Sequence, residues 1–330
     1  MLSAPDDIVV TGAAVLAPAP GDPPGGWFDA DAELGPRGHK YLPRGACYLL
    51  AAGRRALRSA GALECVPPER RGLAVATNNA LAPLFGTMDD TVVHSDAGRL
   101  SPALAPYFAV NVVAARLAAE QSLKAFNLTV TTPAVAGVEA LQHAMRALRL
   151  GRADLVLVAA VEDHLAPGTP GEGESEEGAV ALVLESRPAA LRRGAPAQGT
   201  LRAATTFLPP TAGRATPAPD APGPDDAPGA LRHALADLLA AVDAHPPAPL
   251  HLVLDSSPRA RATAARLPAA AGTAAAGAGC LRPLLDAAQP LTARTGTGRL
   301  VLAATAHGHL AAVHTHSTPP PGGHRAQPPA

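Results

Sequence analysis

NLTVTT at residues 127–132, VAGVEALQHAMRALRL at 135–150, DLVLVAAV at 154–161 and GAVALVLE at 178–185 form a block, residues 126–185, whose reading decides the fold. The first segment is β-branched and ends at Pro133, which cannot donate to a sheet ladder and holds its predecessor extended. The second repeats apolar residues at three- and four-residue steps and stops at Gly151, as an amphipathic helix closed by glycine does. The third and fourth are apolar on both faces, the pattern of strands inside a sheet. Between them EGESEE, residues 172–177, reads as a solvated acidic loop. Strand, helix, strand, strand is a mixed α/β unit.

Working outward, IVVTG at residues 8–12 reads as a buried strand entering a turn, residues 43–60 as an amphipathic helix stopped by Gly61, GLAVAT at 72–77 as a strand and 110–121 as a helix. On the C-terminal side, residues 186–229 are rich in Pro, Gly and Ala, with one strand at 200–207, and read as a connector. Beyond it the pattern predicts a helix at 230–244, a strand at 250–255, a helix at 276–287 that Pro283 kinks or shortens, and strands at 299–306 and 309–316. The expected organisation is therefore an N-terminal half over residues 1–185, the connector over 186–229, a second half of similar elements over 230–318, and a Pro-rich disordered tail over 319–330.

With 47% hydrophobic and 17% charged residues, the chain can bury a large core. A formal net charge of -1 and the lack of a basic block interleaved with aromatics argue against nucleic acid. No run of about 18 apolar residues suggests a membrane span, and MLSAPDDIVVTG does not resemble a signal peptide, so the expected location is the cytoplasm. Cys47, Cys65 and Cys280 fit neither a disulfide framework nor a zinc site and read as reduced packing residues.

The order and spacing of these segments resemble the β-ketoacyl synthases and their chain-length-factor relatives over nearly the whole chain. The stretch 129–141, TVTTPAVAGVEAL, matches the family's strand, nucleophile turn and buried helix; GRADLVLVAAVED and EEGAVALVLE match the two strands that follow; IVVTG and GTAAAGAGCL, residues 272–281, add support. The resemblance implies a thiolase-like, five-layered αβαβα fold of two similar halves. It implies a cysteine nucleophile where this chain has Ala134, and two histidines where it has Ser256, after the strand LHLVLD, and Thr273. An acyl-carrying thioester splits a hard carbon–carbon bond formation into two easier steps, and the histidines stabilise the enolate. With all three positions replaced, no catalytic residue is expected. The family's glycine- and phenylalanine-rich gate is replaced by residues 304–309, and the segment between Glu162 and Glu177 is short, which implies a trimmed cap over the acyl tunnel.

Family members pair through the strand before the nucleophile helix, here Phe126, Asn127, Leu128, Thr129, Val130, Thr131 and Thr132. The resemblance thus implies a non-catalytic, chain-length-factor-like subunit partnering an active ketosynthase as a heterodimer, or pairing with itself, in type II polyketide or fatty-acid-like synthesis. Two other readings stay open: an altered ketosynthase that decarboxylates malonyl carrier protein or moves other acyl groups, and a scaffold that binds carrier protein alone. Arg146, Arg149 and Arg152 form either a face for an acidic acyl carrier protein or a solvated helix face. His307, His309, His314 and His316 alternate as metal ligands can but read as strand decoration, so neither metal nor cofactor is expected. His143 reads as a core or interface histidine, Ser256 and Ser257 as turn serines capping the next helix, and Cys280 as packing.

Overall fold

A computed structural model describes residues 8–39, 41–61, 63–208, 229–243 and 248–320. The apolar run in the deciding block becomes β4 (Leu155–Glu162), buried along its whole length. It runs parallel to β2 (Arg71–Ala76) and antiparallel to β5 (Gly178–Ser186). Outside them lie β3 (Asn127–Val130), parallel to β2 at one edge, and β1 (Ile8–Leu16), antiparallel to β5. The second half repeats this with β6 (Gly199–Phe207), β7 (Leu250–Leu254), β8 (Gly272–Ala275), β9 (Gly298–Ala304) and β10 (His309–Ser317). The strand order β3-β2-β4-β5-β1-β6-β10-β9-β7-β8 reads the same from either end once β3 is equated with β8 and β1 with β6. The halves join where Val9 faces Thr200 and Val10 faces Gly199.

The helices are α1 (Ala30–Leu34), α2 (Arg44–Ser59), α3 (Ala82–His94), α4 (Val112–Gln121), α5 (Ala136–Arg149), α6 (Arg187–Arg192), α7 (Ala230–Val242), α8 (Pro258–Ala264) and α9 (Arg282–Ala293). α5 lies against β2 and β4 of its own half and β6 of the other, while α9 lies against β9 and β10 of its own and β1 of the first. These two helices are the central layer, and Val138, Leu141, Leu284 and Leu291 belong to the apolar core they share with both half-sheets. α2 and α4 cover the first half-sheet from outside, and α7 and α8 the second. The five αβαβα layers implied by the resemblance are present. Close approach of α2 to β1 requires Gly12, where a Cβ would meet the Ala56 carbonyl oxygen at 2.1 Å.

Several sequence expectations need correction. The helix read at 276–287 begins only at Arg282, because residues 272–275 are the edge strand β8, and Pro283 sits in the first turn, where its missing N–H costs nothing. α3 went unread because its one buried residue, Met88, leaves no apolar stripe to detect. The strand expected at 200–207 is present as β6, paired with β10 along nine residues. Cys47 and Cys280 are buried, but Cys65 is exposed and packs against no core. His143 is exposed, so it is no core histidine. The acidic run is not simply solvated: Glu177 is buried and Glu176 partly so, because both carboxylates are taken up by N–H and O–H donors. Residues 209–228 of the connector and 321–330 of the tail lie outside the described residues.

Candidate functional site

β3 ends at Val130, and the chain turns through Thr131, Thr132 and Pro133 into Ala134, two residues before α5 begins. Ala134 has φ 61, in the left-handed region. The other described non-glycine residues in this region, Ser122, Asp243 and Arg294, are helix C-caps, where that conformation is ordinary. Ala134 instead stands at a helix entrance, a conformation that costs an alanine on the order of 1 kcal/mol and persists only because its surroundings fix it. Its N–H donates to the Gly279 carbonyl at 3.0 Å, and Ala136 N–H donates back to Thr132 O at 2.9 Å. The result is a sharp elbow presenting one side chain at the positive end of α5, a place suited to an anionic nucleophile. That side chain is a methyl group, 7% exposed.

Four carboxylates to which the sequence reading gave no site role flank this end of the sheet, Glu162 and Glu176 on the side of the elbow and Asp163 and Glu177 on the side of α2. Glu162, fully buried at the end of β4, accepts N–H bonds from Asn78 (2.9 Å), Asn79 (2.5 Å) and Cys280 (2.9 Å). Glu176 caps α9, accepting from Leu281 N–H (2.7 Å) and Arg282 N–H (3.0 Å). Asp163, 1% exposed, faces Arg44 Nε at 3.5 Å and accepts from His164 N–H. Glu177 accepts from Gly25 N–H and the Tyr48 hydroxyl. The acids thus hold the turns that lead into α3 and α9 and the N-terminal end of α2. The signal was present in the sequence as two acidic doublets, Glu162-Asp163 and Glu176-Glu177, at the ends of strands otherwise apolar.

Burial pushes Asp163 up to about 6, more than the Arg44 charge lowers it, and burial together with the Glu162 charge pushes Glu176 up to about 7. An acid whose folded-state pKa is raised contributes stability below its unfolded pKa and loses it as pH rises through the folded value. Arg44 and Glu177 face Asp163, and Glu162 and Arg282 face Glu176. Stability should therefore fall from about pH 4 to pH 7, by at most about 6 kcal/mol if both shifts acted in full, and by less because water still reaches part of Glu176. Urea midpoints measured from pH 4 to 8 check this, and Glu176→Gln should flatten the slope.

The other expected positions do not gather at the elbow. Ser256 is exposed after β7, where its carbonyl accepts from Arg261, and it is Ser257 that caps α8, accepting from Ala260 N–H at 3.1 Å. Thr273 is exposed in β8 opposite Leu252 rather than in a turn. The turn that faces Ala134 is the later part of the same segment, carrying Gly279 and Cys280. Residues 304–309 form the tight turn joining β9 and β10, closed by Gly308 N–H to Thr305 O at 3.1 Å. Of residues 126–132, 127–130 are β3, which pairs with β2 on one side and, among the described residues, with no strand on the other. Arg146 and Arg152 are exposed and Arg149 partly so, at the far end of α5, about 20 Å from Ala134 at 1.5 Å per residue. Among the described residues no group of three His, Cys, Asp or Glu is placed to hold a metal, and no single helix is long and apolar enough to cross a membrane.

Residues 22–183 match the family model described as the N-terminal domain of β-ketoacyl synthase. The chain is 27% identical over 147 residues to 3-oxoacyl-[acyl-carrier-protein] synthase 2 of Rhizobium meliloti (strain 1021), covering 44% of this chain and 35% of that protein. It is 27% identical over 205 residues to the granaticin polyketide putative β-ketoacyl synthase 1 of Streptomyces violaceoruber, covering 51% and 48%. The matches thus span less than half the length of these curated relatives. Among solved structures, the ishigamide ketosynthase/chain length factor superposes with a TM-score of 0.68 at 20% identity, covering 94% of this chain and 99% of that one. A type II polyketide synthase acyl-carrier protein in complex with its ketosynthase gives 0.68 at 17% identity, again covering 94% and 99%. At such identities the structural likeness shows the fold alone.

Proposed function

Through residues 22–183 the chain belongs to the β-ketoacyl synthase superfamily, and from that premise we propose that it is a non-catalytic, chain-length-factor-like subunit that works beside an active ketosynthase in the cytoplasm. The observation that carries this reading is the elbow at Ala134: the strained backbone and the helix N-terminus are kept, and the side chain they present cannot form a thioester. A condensing enzyme needs a group that takes the acyl chain and donors that hold the developing enolate. Ala134, exposed Ser256 and exposed Thr273 supply neither in the expected places. The edge position of β3 supports a pairing role. Among the described residues no strand pairs with the outer edge of β3, and such an edge favours a partner strand that extends the sheet. Residues 126–132 are the proposed partner contact. Arg146, Arg149 and Arg152 offer three cations to an acidic carrier protein, and a carrier held there requires no nucleophile at Ala134.

Two measurements test this. The isolated chain, mixed with malonyl or acyl carrier protein and followed by intact mass, should gain no adduct and release no carbon dioxide; an acyl adduct on any of its side chains would sink the reading, and decarboxylation would favour the altered-ketosynthase alternative. Co-expressed with a ketosynthase encoded beside it, the chain should co-elute with that protein as a heterodimer in size exclusion. Elution as a separate species would leave only a scaffold role.

A further inference from the structure

The two halves place two turns against each other. Ala134 stands two residues before α5, and Cys280 stands two residues before α9. The pseudo-symmetric strand order makes them equivalent positions, β3 to α5 in one half and β8 to α9 in the other. They meet in the central layer, where Ala134 N–H donates to Gly279 O and a Cβ on Gly137 would lie 3.3 Å from the Cys280 carbonyl oxygen.

Cys280 is fully buried. Burial and the Glu162 carboxylate hold its thiol well above the usual thiol range, and the Gly137 N–H in the first turn of α5 opposes them only weakly. A turn of the second half therefore lies against the start of α5, beside the Ala134 elbow. Glu162 fixes this turn, since it also accepts the Cys280 N–H and is itself held by Asn78 and Asn79 N–H. The Asn79 side-chain amide donates to Ala278 O at 3.1 Å from the same side. No room is left on that side: a Cβ on Gly279 would lie 2.6 Å from both Glu162 Cγ and Glu176 Oε2.

We infer that the Cys280 turn is a plug, held by Glu162 and Asn79 against the α5 N-terminus, that fills the acyl position from the opposite half. The chain is then inactive twice over, by substitution at Ala134 and by occupancy. Restoring a nucleophile at 134 alone leaves it sealed. Cys280 does not replace the lost nucleophile, because burial and the two neighbouring acids keep its thiol protonated. This inference rests on reading Ala134 as the vacated nucleophile position.

The test is native-state alkylation of the full chain with iodoacetamide, mapped by peptide mass, in Ala134→Cys and in Ala134→Cys with Cys280→Gly. In the single variant, the thiol introduced at position 134 should react at least ten-fold more slowly than exposed Cys65 in the same molecule. In the double variant it should react at least ten-fold faster than in the single one, while buried Cys47 stays protected and reports that the chain is folded. Equal rates for the introduced thiol and Cys65 in the single variant, or no acceleration in the double one, would overturn the plug. If Cys47 becomes reactive, Cys280→Ala, which removes only the sulfur, replaces Cys280→Gly, and the same comparison decides. An acyl adduct on the wild-type chain would instead remove the non-catalytic reading and leave these alkylation rates as they are.

Discussion

Replacing Arg193 by alanine should destabilise the protein by about 3–5 kcal/mol, one of the two largest single-residue effects expected for this chain. Arg193 follows α6, and its guanidinium lies against the Glu185 carboxylate on β5 in a two-pronged pair, Nε to Oε2 at 2.7 Å and Nη2 to Oε1 at 2.6 Å. The side chains are 4% and 0% exposed. The Thr11 hydroxyl on β1 donates to the same carboxylate. Removing the cation leaves a carboxylate in the interior with one neutral donor, and water cannot reach it without opening the packing. For an isolated surface pair the loss would be below about 1 kcal/mol, so burial decides the magnitude. Position amplifies the consequence: β1, β5 and α6 adjoin the seam where the half-sheets meet through Val9–Thr200 and Val10–Gly199. With about 2.1 cal/mol/K of unfolding entropy per residue, the melting temperature should fall by roughly 4–7 °C. Calorimetry checks this, and Arg193→Met combined with Glu185→Leu should recover most of the loss, because no charge is then left buried. A single variant that melts with the wild type would show that the pair is solvated in solution.

The deciding block was legible because its elements are long and strongly patterned. β4 and β5 are apolar at almost every position, and α5 has a clear stripe ended by Gly151, so order and type followed directly. β8 was hidden because GTAA has no β-branched run and reads as a turn, and that error displaced the start of α9. α3 was hidden for the opposite reason, a helix lying on the surface with Phe85, Val92 and Val93 exposed. Of the proposed site, one letter, Ala134, puts an alanine where the resemblance implies a nucleophile. The strain at that residue, and the approach of Cys280 from the other half, could not be read from it. Both come from contacts between segments far apart in the chain, and a backbone angle of φ 61 at an alanine goes against local preference and is imposed by packing. The acids were misread because charge in a loop is usually solvated. Here adjacent acids point to opposite sides of the sheet, Glu162 and Glu176 toward α9 and the turn after β2, Asp163 and Glu177 toward α2.

Glu162→Ala should cost a similar amount, on the order of 3–5 kcal/mol, by a different route. No countercharge is lost. Instead the N–H groups of Asn78, Asn79 and Cys280, which converge on one carboxylate, lose their acceptor together, Cys280 fully buried and the two asparagines half-buried. Each buried orphan costs about 1–3 kcal/mol, and relaxation of the two turns keeps the sum below simple addition. Glu162→Gln should fall between wild type and alanine, because its carbonyl can serve some donors while its NH2 group opposes the rest. Burial raises the Glu162 pKa against the pull of these same N–H groups, so its folded value lies above its unfolded one. The stability it contributes is full below the unfolded pKa and is lost as pH rises through the folded one. The gap between wild type and Glu162→Ala should therefore be widest in acid and narrow as pH rises, the reverse of a carboxylate held by a salt bridge. Urea midpoints of both proteins across pH measure that gap. Hydrogen exchange at the Asn78, Asn79 and Cys280 amides locates it, since these turns should lose protection before the strands β4 and β5 do. If the gap widened with pH, the carboxylate would be stabilised in its charged form, and the N–H cage rather than burial would be the dominant force at the centre of this site.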